Sequence, residues 1–162
     1  MTILPCCLAA VSALPLLVFA ETATGFVFHD ADGNGVRGQD EAGVPDVLVS
    51  NGTEVTRTDR EGAWELPVGE DTALFVIKPR GWMVPTDPLN LPRYYYLHKP
   101  AGSPELEYPG VAPTGPLPAS IDFPLTPHEE PERFRILAIG DPQPYSLEQV
   151  QFFLDDVVAD AA

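Results

Sequence analysis

Cysteine is almost missing from this chain of 162 residues: the two it has, Cys6 and Cys7, stand together near the start. A disulfide framework for the body of the protein is thereby excluded, because everything after residue 7 lacks a thiol. Positive charge is scarce too. Nine lysines and arginines face 24 acids, giving a net charge of −15 with no basic cluster. Strong nucleic-acid binding depends on cationic side chains that displace counterions, so that partner class is excluded. An acidic surface instead favours solubility and attracts divalent cations. Histidine is limited to His29, His98 and His128. No second histidine or cysteine stands at ligand spacing from His98. Strand alternation turns His29 away from the acidic run after it, and His128 lies in an acidic linker, so none is a catalytic candidate by itself.

Proline, by contrast, is abundant. Nineteen of them argue against a mainly helical protein, since proline breaks helix interiors and central strands alike. The length suits one domain, or one small domain with additional pieces.

Residues 1–20 carry no charge, and the apolar run Leu8–Phe19 ends in Val18-Phe19-Ala20 before Glu21. That pattern predicts a signal peptide cleaved after Ala20 and a periplasmic or secreted product, although no lysine or arginine follows Met1. An uncleaved anchor is disfavoured: spanning takes about 20 apolar residues, and Pro5 and Pro15 interrupt this stretch. Both cysteines fall inside the leader. Cys6 precedes the apolar run, which excludes a lipidation site, and no stable membrane anchor is expected after cleavage.

With disulfides excluded, the sequence offers a metal. Asp30-Ala-Asp32-Gly-Asn34-Gly35, five further residues and then Glu41 satisfy the calcium-loop spacing D-x-[DN]-x-[DN]-G-x5-E. Calcium takes six to eight hard oxygens, which alternate residues of a tight loop can supply. Asp30, Asp32 and Asn34 would give side-chain oxygens, Val36 a backbone carbonyl and Glu41 both carboxylate oxygens. Gly35 permits the sharp turn. Gly38 occupies the ninth position, where a side-chain ligand is often found, so a water would substitute there. The expected affinity is correspondingly weak, ~10⁻⁴ to 10⁻³ M. The flanks, Gly25–Phe28 and Val47–Ser50, read as strands rather than as the helices of an EF-hand.

Short strand-like runs continue beyond the loop. Asn51-Gly52 between Val47–Ser50 and Thr53–Thr58 is a hairpin signal with positive φ required at both turn residues. It also falls in the sequon Asn51-Gly-Thr53, for which the turn is a sufficient account. Asp59-Arg-Glu-Gly62 turns the chain into Ala63–Leu66, and Leu74–Ile77 reads as a buried strand. Five such strands make a small β-sandwich. Residues 79–131 change texture, with thirteen prolines, few strand-length runs and the sequence Tyr94-Tyr-Tyr96-Leu-His-Lys. A long stretch of this kind serves as a functional loop, a linker or a surface for another part. Its tyrosines are first large apolar bodies that pack a loop or face a neighbour.

The last thirty residues differ again. Phe134–Ile139 reads as a strand buried on both faces, ending at Gly140-Asp141-Pro142-Gln143. Ser146-Leu-Glu-Gln149 is a capping box, and Leu147, Val150, Leu154, Val157, Val158 and Ala161 follow at helical spacing. This β-α unit carries an aspartate at the strand's carboxyl end, where open α/β sheets place their sites. On its own it lacks the neighbouring strands and helices it needs, so a fragment of a larger protein is the simplest reading.

Three segments resemble known proteins. GFVFHDADGNGVRGQDEAGVPDVLVSNGTEVTRTDREGAWEL resembles the calcium-binding B-type repeats of bacterial surface adhesins. It also resembles the N-terminal domain of some calcineurin-like phosphoesterases. YYYLHKPAGSPELEYPGVAPTGPLPASIDFPL resembles the second half of that phosphoesterase region, and RILAIGDPQPYSLEQVQFFLDDVV resembles the opening of the catalytic domain.

The resemblance implies a mainly β protein. It would comprise a leader over residues 1–20 and an immunoglobulin-like or prealbumin-like β-sandwich over 21–78. A proline-rich extension over 79–131 and an incomplete β-α start of an α/β metallophosphoesterase domain over 132–162 would follow. It further implies a hydrolase that cleaves phosphoesters with two divalent ions once the missing catalytic domain is present. Asp141 falls on the aspartate of the family's D-x-H metal motif and Gln143 on its histidine, a harder and weaker ligand than imidazole. One partial ligand set leaves this chain alone inactive. The competing reading is a calcium-stabilised extracellular binding module without catalysis.

Overall fold

The computed structural model describes residues 21–136 and 138–159; the expected leader and Ala161 lie outside them. The chain divides into two units, one ending at Glu129 and the other beginning at Glu130.

The first unit is a β-sandwich of eight strands: β1 (Glu21–His29), β2 (Leu48–Ser50), β3 (Val55–Arg57), β4 (Ala63–Val68), β5 (Thr72–Ile77), β6 (Trp82–Met83), β7 (Tyr95–His98) and β8 (Phe123–Pro127). One sheet has the order β4-β1-β8-β6 and the other β3-β2-β5-β7. All the described pairings are antiparallel except β1 with β8, where Val27, Phe28 and His29 face Phe123, Pro124 and Leu125 in parallel.

The period-two pattern explains the layers. Trp64, Leu66 and Val68 of β4, Leu74 and Val76 of β5, and Phe123 and Leu125 of β8 all point into one cluster, with Val27 and Val49 between them. Burying each large side chain contributes about 1.5–3 kcal/mol relative to exposure. The Trp64 and Phe123 rings stack at 5.7 Å between centroids. Pro67 is tolerated in β4 because that strand lies at a sheet edge. Gly25 lets β1 approach the β8 side closely: a Cβ there would lie 1.8 Å from the carbonyl oxygen of Ile121.

Four expectations are revised. Asn51-Gly52 does turn β2 into β3, but Ser50 pairs with Val55, so the loop has four residues. Gly52 alone has positive φ, +91°. The Asn51 side chain sets this longer turn, its Oδ1 accepting from the backbone N–H groups of Thr53 and Glu54 at 2.9 and 2.6 Å. Its Nδ2 donates to the Pro67 carbonyl at 2.9 Å. Strand β5 is covered on one face only, since Ile77 is exposed while Leu74 and Val76 are buried.

The proline-rich stretch supplies three strands, β6, β7 and β8, and its loop between β6 and β7 is ordered around Asp87. That carboxylate accepts from the Leu89 and Leu91 N–H groups at 2.9 Å each and from Arg93 at 2.7 Å. Those N–H groups, Leu91 first, hold its pKa below the usual carboxylate value. The tyrosine run supplies the first half of the edge strand β7, Tyr95 and Tyr96: Tyr94 and Tyr95 are exposed, while Tyr96 packs against the core.

In the second unit, Ser146 caps helix α1 (Leu147–Phe153), its side chain accepting from Gln149 N–H at 3.3 Å. The Gln149 side chain accepts in return from Tyr145 N–H, one residue before the cap. A π-helical segment, Leu154–Val158, continues it. The expected strand over Phe134–Ile139 has no strand pairing among its described residues, and Phe134, Ile136 and Ile139 are exposed. An apolar run becomes a strand only where neighbours supply hydrogen bonds, and this unit contains no described strand to pair with it. The helix keeps its apolar spacing but buries no described residue.

Candidate metal site

The acidic loop grows out of the end of β1. Its base is clipped by His29 N–H to the Ala42 carbonyl and Val44 N–H to the Val27 carbonyl, both 2.8 Å. Strand β8 adds a third clip, with Asp30 N–H donating to the Leu125 carbonyl at 3.0 Å. Asp30 is consequently buried, 4% exposed, at the root of the loop. Its two oxygens accept from the N–H groups of Asn34 at 3.1 Å and Gly35 at 3.0 Å. Gly33 and Gly35 both take φ of +73°, a region costly for a residue with a Cβ.

Asp32 accepts from the Asn34 N–H at 3.1 Å, and Asn34 in turn accepts from Val36 N–H at 2.6 Å. Glu41 closes the loop, taking Ala31 N–H on one oxygen and Gly38 N–H on the other, each at 2.8 Å. Beside the loop, the Arg37 guanidinium lies 3.8 Å above the Phe26 ring, an anchor the spacing pattern gave no sign of.

Asp30, Asp32 and Glu41 each offer a carboxylate oxygen within 4.8 Å of the others. They are the only such acidic or histidine group of three among the described residues. The donor set is all oxygen, the chemistry that suits calcium and magnesium rather than zinc or copper. Asn34 and Val36 are tied into the same turn by the bond between them. A carboxylate has about four lone-pair positions, so those already holding backbone N–H groups retain capacity for an ion.

Electrostatics reports the same closure. The Gly38 N–H, followed by that of Ala31, holds the Glu41 pKa below its ordinary value of 4.5, with a smaller contribution from His29. Because the folded value is the lower one, the stabilisation is complete above about pH 4.5. It is lost as pH falls through the depressed value. In chelator, the melting temperature of the wild type should therefore decline on acidification below pH 4.5. In Glu41→Gln this component of the decline should be absent. Superimposable pH profiles would refute the assignment.

Asp141 and Gln143 lie in the second unit. Gln143 takes φ of +40°, and its Nε2 donates to Asp141 Oδ2 at 2.6 Å. The pair is exposed, and Asp141 belongs to no group of three acidic or histidine side chains among the described residues. Two such side chains are too few to hold the two ions of a phosphoesterase centre.

His98 sits on β7, 3% exposed. Its Nδ1 has no partner, and its ring stacks on Tyr96. His29 packs edge-on against Trp82, 5.6 Å between ring centroids.

Among curated proteins none matches the chain. Residues 31–108 match the family described as N terminal of calcineurin-like phosphoesterase. The match takes in Asp32, Glu41 and strands β2 to β7, and leaves out the paired strands β1 and β8. Across those residues the chain is similar to the N-terminal domain of calcineurin-like phosphoesterases.

Proposed function

We propose that this chain is the N-terminal region of an exported phosphoesterase, in which a calcium-stiffened β-sandwich precedes the metal-dependent catalytic domain. The observation that carries this reading is the family match over residues 31–108. The acidic group Asp30, Asp32 and Glu41 supports the calcium component. The uncharged stretch before Glu21 supports export, and no described helix is long and apolar enough to cross a membrane.

In enzymes of this type two divalent ions activate a water and steady the in-line displacement at phosphorus. The contribution of this chain to such a centre is the carboxylate of Asp141. Gln143 engages its Oδ2 and leaves Oδ1 outside that bond. With so partial a ligand set, the chain alone is inactive.

Two measurements on the purified chain test the reading. Calcium at tenfold excess over its dissociation constant stabilises a folded site by about 1.4 kcal/mol, which raises the melting temperature of a domain this size by roughly 5 °C. Chelator should reverse the rise, and identical melting curves with calcium and with chelator would remove calcium from the account. The second measurement is hydrolysis of a nitrophenyl phosphate ester with added manganese. No turnover is expected, and metal-dependent turnover by this chain would overturn the division of labour between the two parts.

A further inference from the structure

The chain holds two Asn-Gly pairs, Asn34-Gly35 and Asn51-Gly52. Glycine has no Cβ to shield its backbone nitrogen, so that nitrogen can reach the side-chain Cγ of a preceding asparagine. The two pairs have the same chemistry but are held in different ways.

Asn51 is half-buried, and its amide nitrogen donates to the Pro67 carbonyl in β4, 16 positions away, at 2.9 Å. Its Oδ1 accepts from the Thr53 hydroxyl as well as from the Thr53 and Glu54 N–H groups. The Gly52 N–H donates to the hydroxyl of buried Ser50 at 3.0 Å. Freeing this pair requires the β2-β3 turn to leave β4.

Asn34 is exposed. Its Nδ2 donates to Asp32 at 2.7 Å, its Oδ1 accepts from Val36 N–H, and Gly35 N–H donates to Asp30. These partners all lie within five positions, so one movement of the loop releases them together. A Cβ built on Gly35 meets nothing within 4 Å, which leaves open space at the attacking residue. Asp30, Asp32 and Glu41 offer carboxylate oxygens within 4.8 Å of one another, and their like charges repel. Segments with few long-range ties open most readily.

We propose that Asn34 is a site of spontaneous deamidation from which the fold protects Asn51, and that a cation held by the loop slows the reaction. The Gly35 nitrogen attacks Asn34 Cγ, the new N–C bond forming as the Cγ–Nδ2 bond breaks. The proton lost from Gly35 leaves with Nδ2 as ammonia. Water then opens the cyclic imide at either carbonyl, giving aspartate or iso-aspartate with no change of oxidation state. Aspartate keeps the ligand spacing and adds a carboxylate to the loop. Iso-aspartate inserts a methylene into the main chain of the turn.

The test follows both asparagines by peptide mapping with mass spectrometry while the full chain stands at neutral pH in chelator. Position 34 should react at least about fivefold faster than position 51, yielding aspartate and iso-aspartate together. In urea the two rates should converge, because the difference comes from the fold. Equal rates in the folded chain, a difference that survives urea, or aspartate without iso-aspartate would each overturn the proposal. Added calcium should slow position 34 alone, an arm that rests on the calcium reading of the loop. Melting temperatures read in the same solutions keep the two ideas apart. A rise with calcium but no slowing defeats the protection by cation, whereas no rise defeats the calcium reading and leaves the site decided by the rates in chelator.

Discussion

A chain ended after Lys78 should show no cooperative thermal transition by circular dichroism, whereas one ended after Glu129 should melt in a single step. The shorter chain keeps β1 to β5, the part whose strand pattern is plainest. It loses β8, which pairs with β1 over Val27, Phe28 and His29. With β8 go Phe123 and Leu125, with its flank Ile121, and with β6 the adjoining Val84, all buried in the one core. At about 1.5–3 kcal/mol for each large apolar side chain, these four approach or exceed the 5–15 kcal/mol by which a whole domain is normally stable. The truncation also strips the carboxylate of Asp122, which accepts the Phe26 N–H at 3.0 Å. A sigmoidal melt from the shorter chain would show that the proline-rich residues are an appendage.

Asp30→Ala should lower stability even without calcium and should abolish the response to calcium altogether. The two effects separate because the side chain has two duties. Its oxygens accept the Asn34 and Gly35 N–H groups, and losing hydrogen bonds to a charged acceptor costs about 1.5–3 kcal/mol. That loss appears in chelator. The same carboxylate belongs to the group of three that could hold an ion, so the roughly 5 °C rise expected with calcium should vanish. Asp32→Ala provides the comparison. Asp32 is exposed, so its removal should cost little in chelator while still weakening calcium. If Asp30→Ala retains the full calcium shift, the ion is held elsewhere.

The residues of the candidate site were legible in the sequence because a calcium-type loop is local. Its ligands lie within twelve positions of one another, and their backbone partners, Ala31, Asn34, Gly35 and Gly38, lie among them. The turn at Asp59–Gly62 was legible for the same reason: Asp59 Oδ1 accepts from the Glu61 and Ala63 N–H groups, and Gly62 takes φ of +77°. Strand β8 was not. Pro124 and Pro127 hide its alternation, and its identity as a strand comes from a partner about a hundred positions earlier. Phe134–Ile139 shows the converse, an apolar run that remains unpaired for want of a neighbour. The place of His98 was equally hidden, since it comes near Glu21 only once the two sheets are stacked.

The parallel union of β1 with β8 also sets a clock. Phe26 and its partner Asp122 are 96 positions apart. A ribosome working at about 5–20 residues per second takes ~5–20 s to bridge that interval. Until then the earliest strand has no mate on that side, and contacts of such long range form slowly even once both segments exist. The nascent sandwich thus stays open until β8 has been made, a state in which it can still be threaded through a narrow channel.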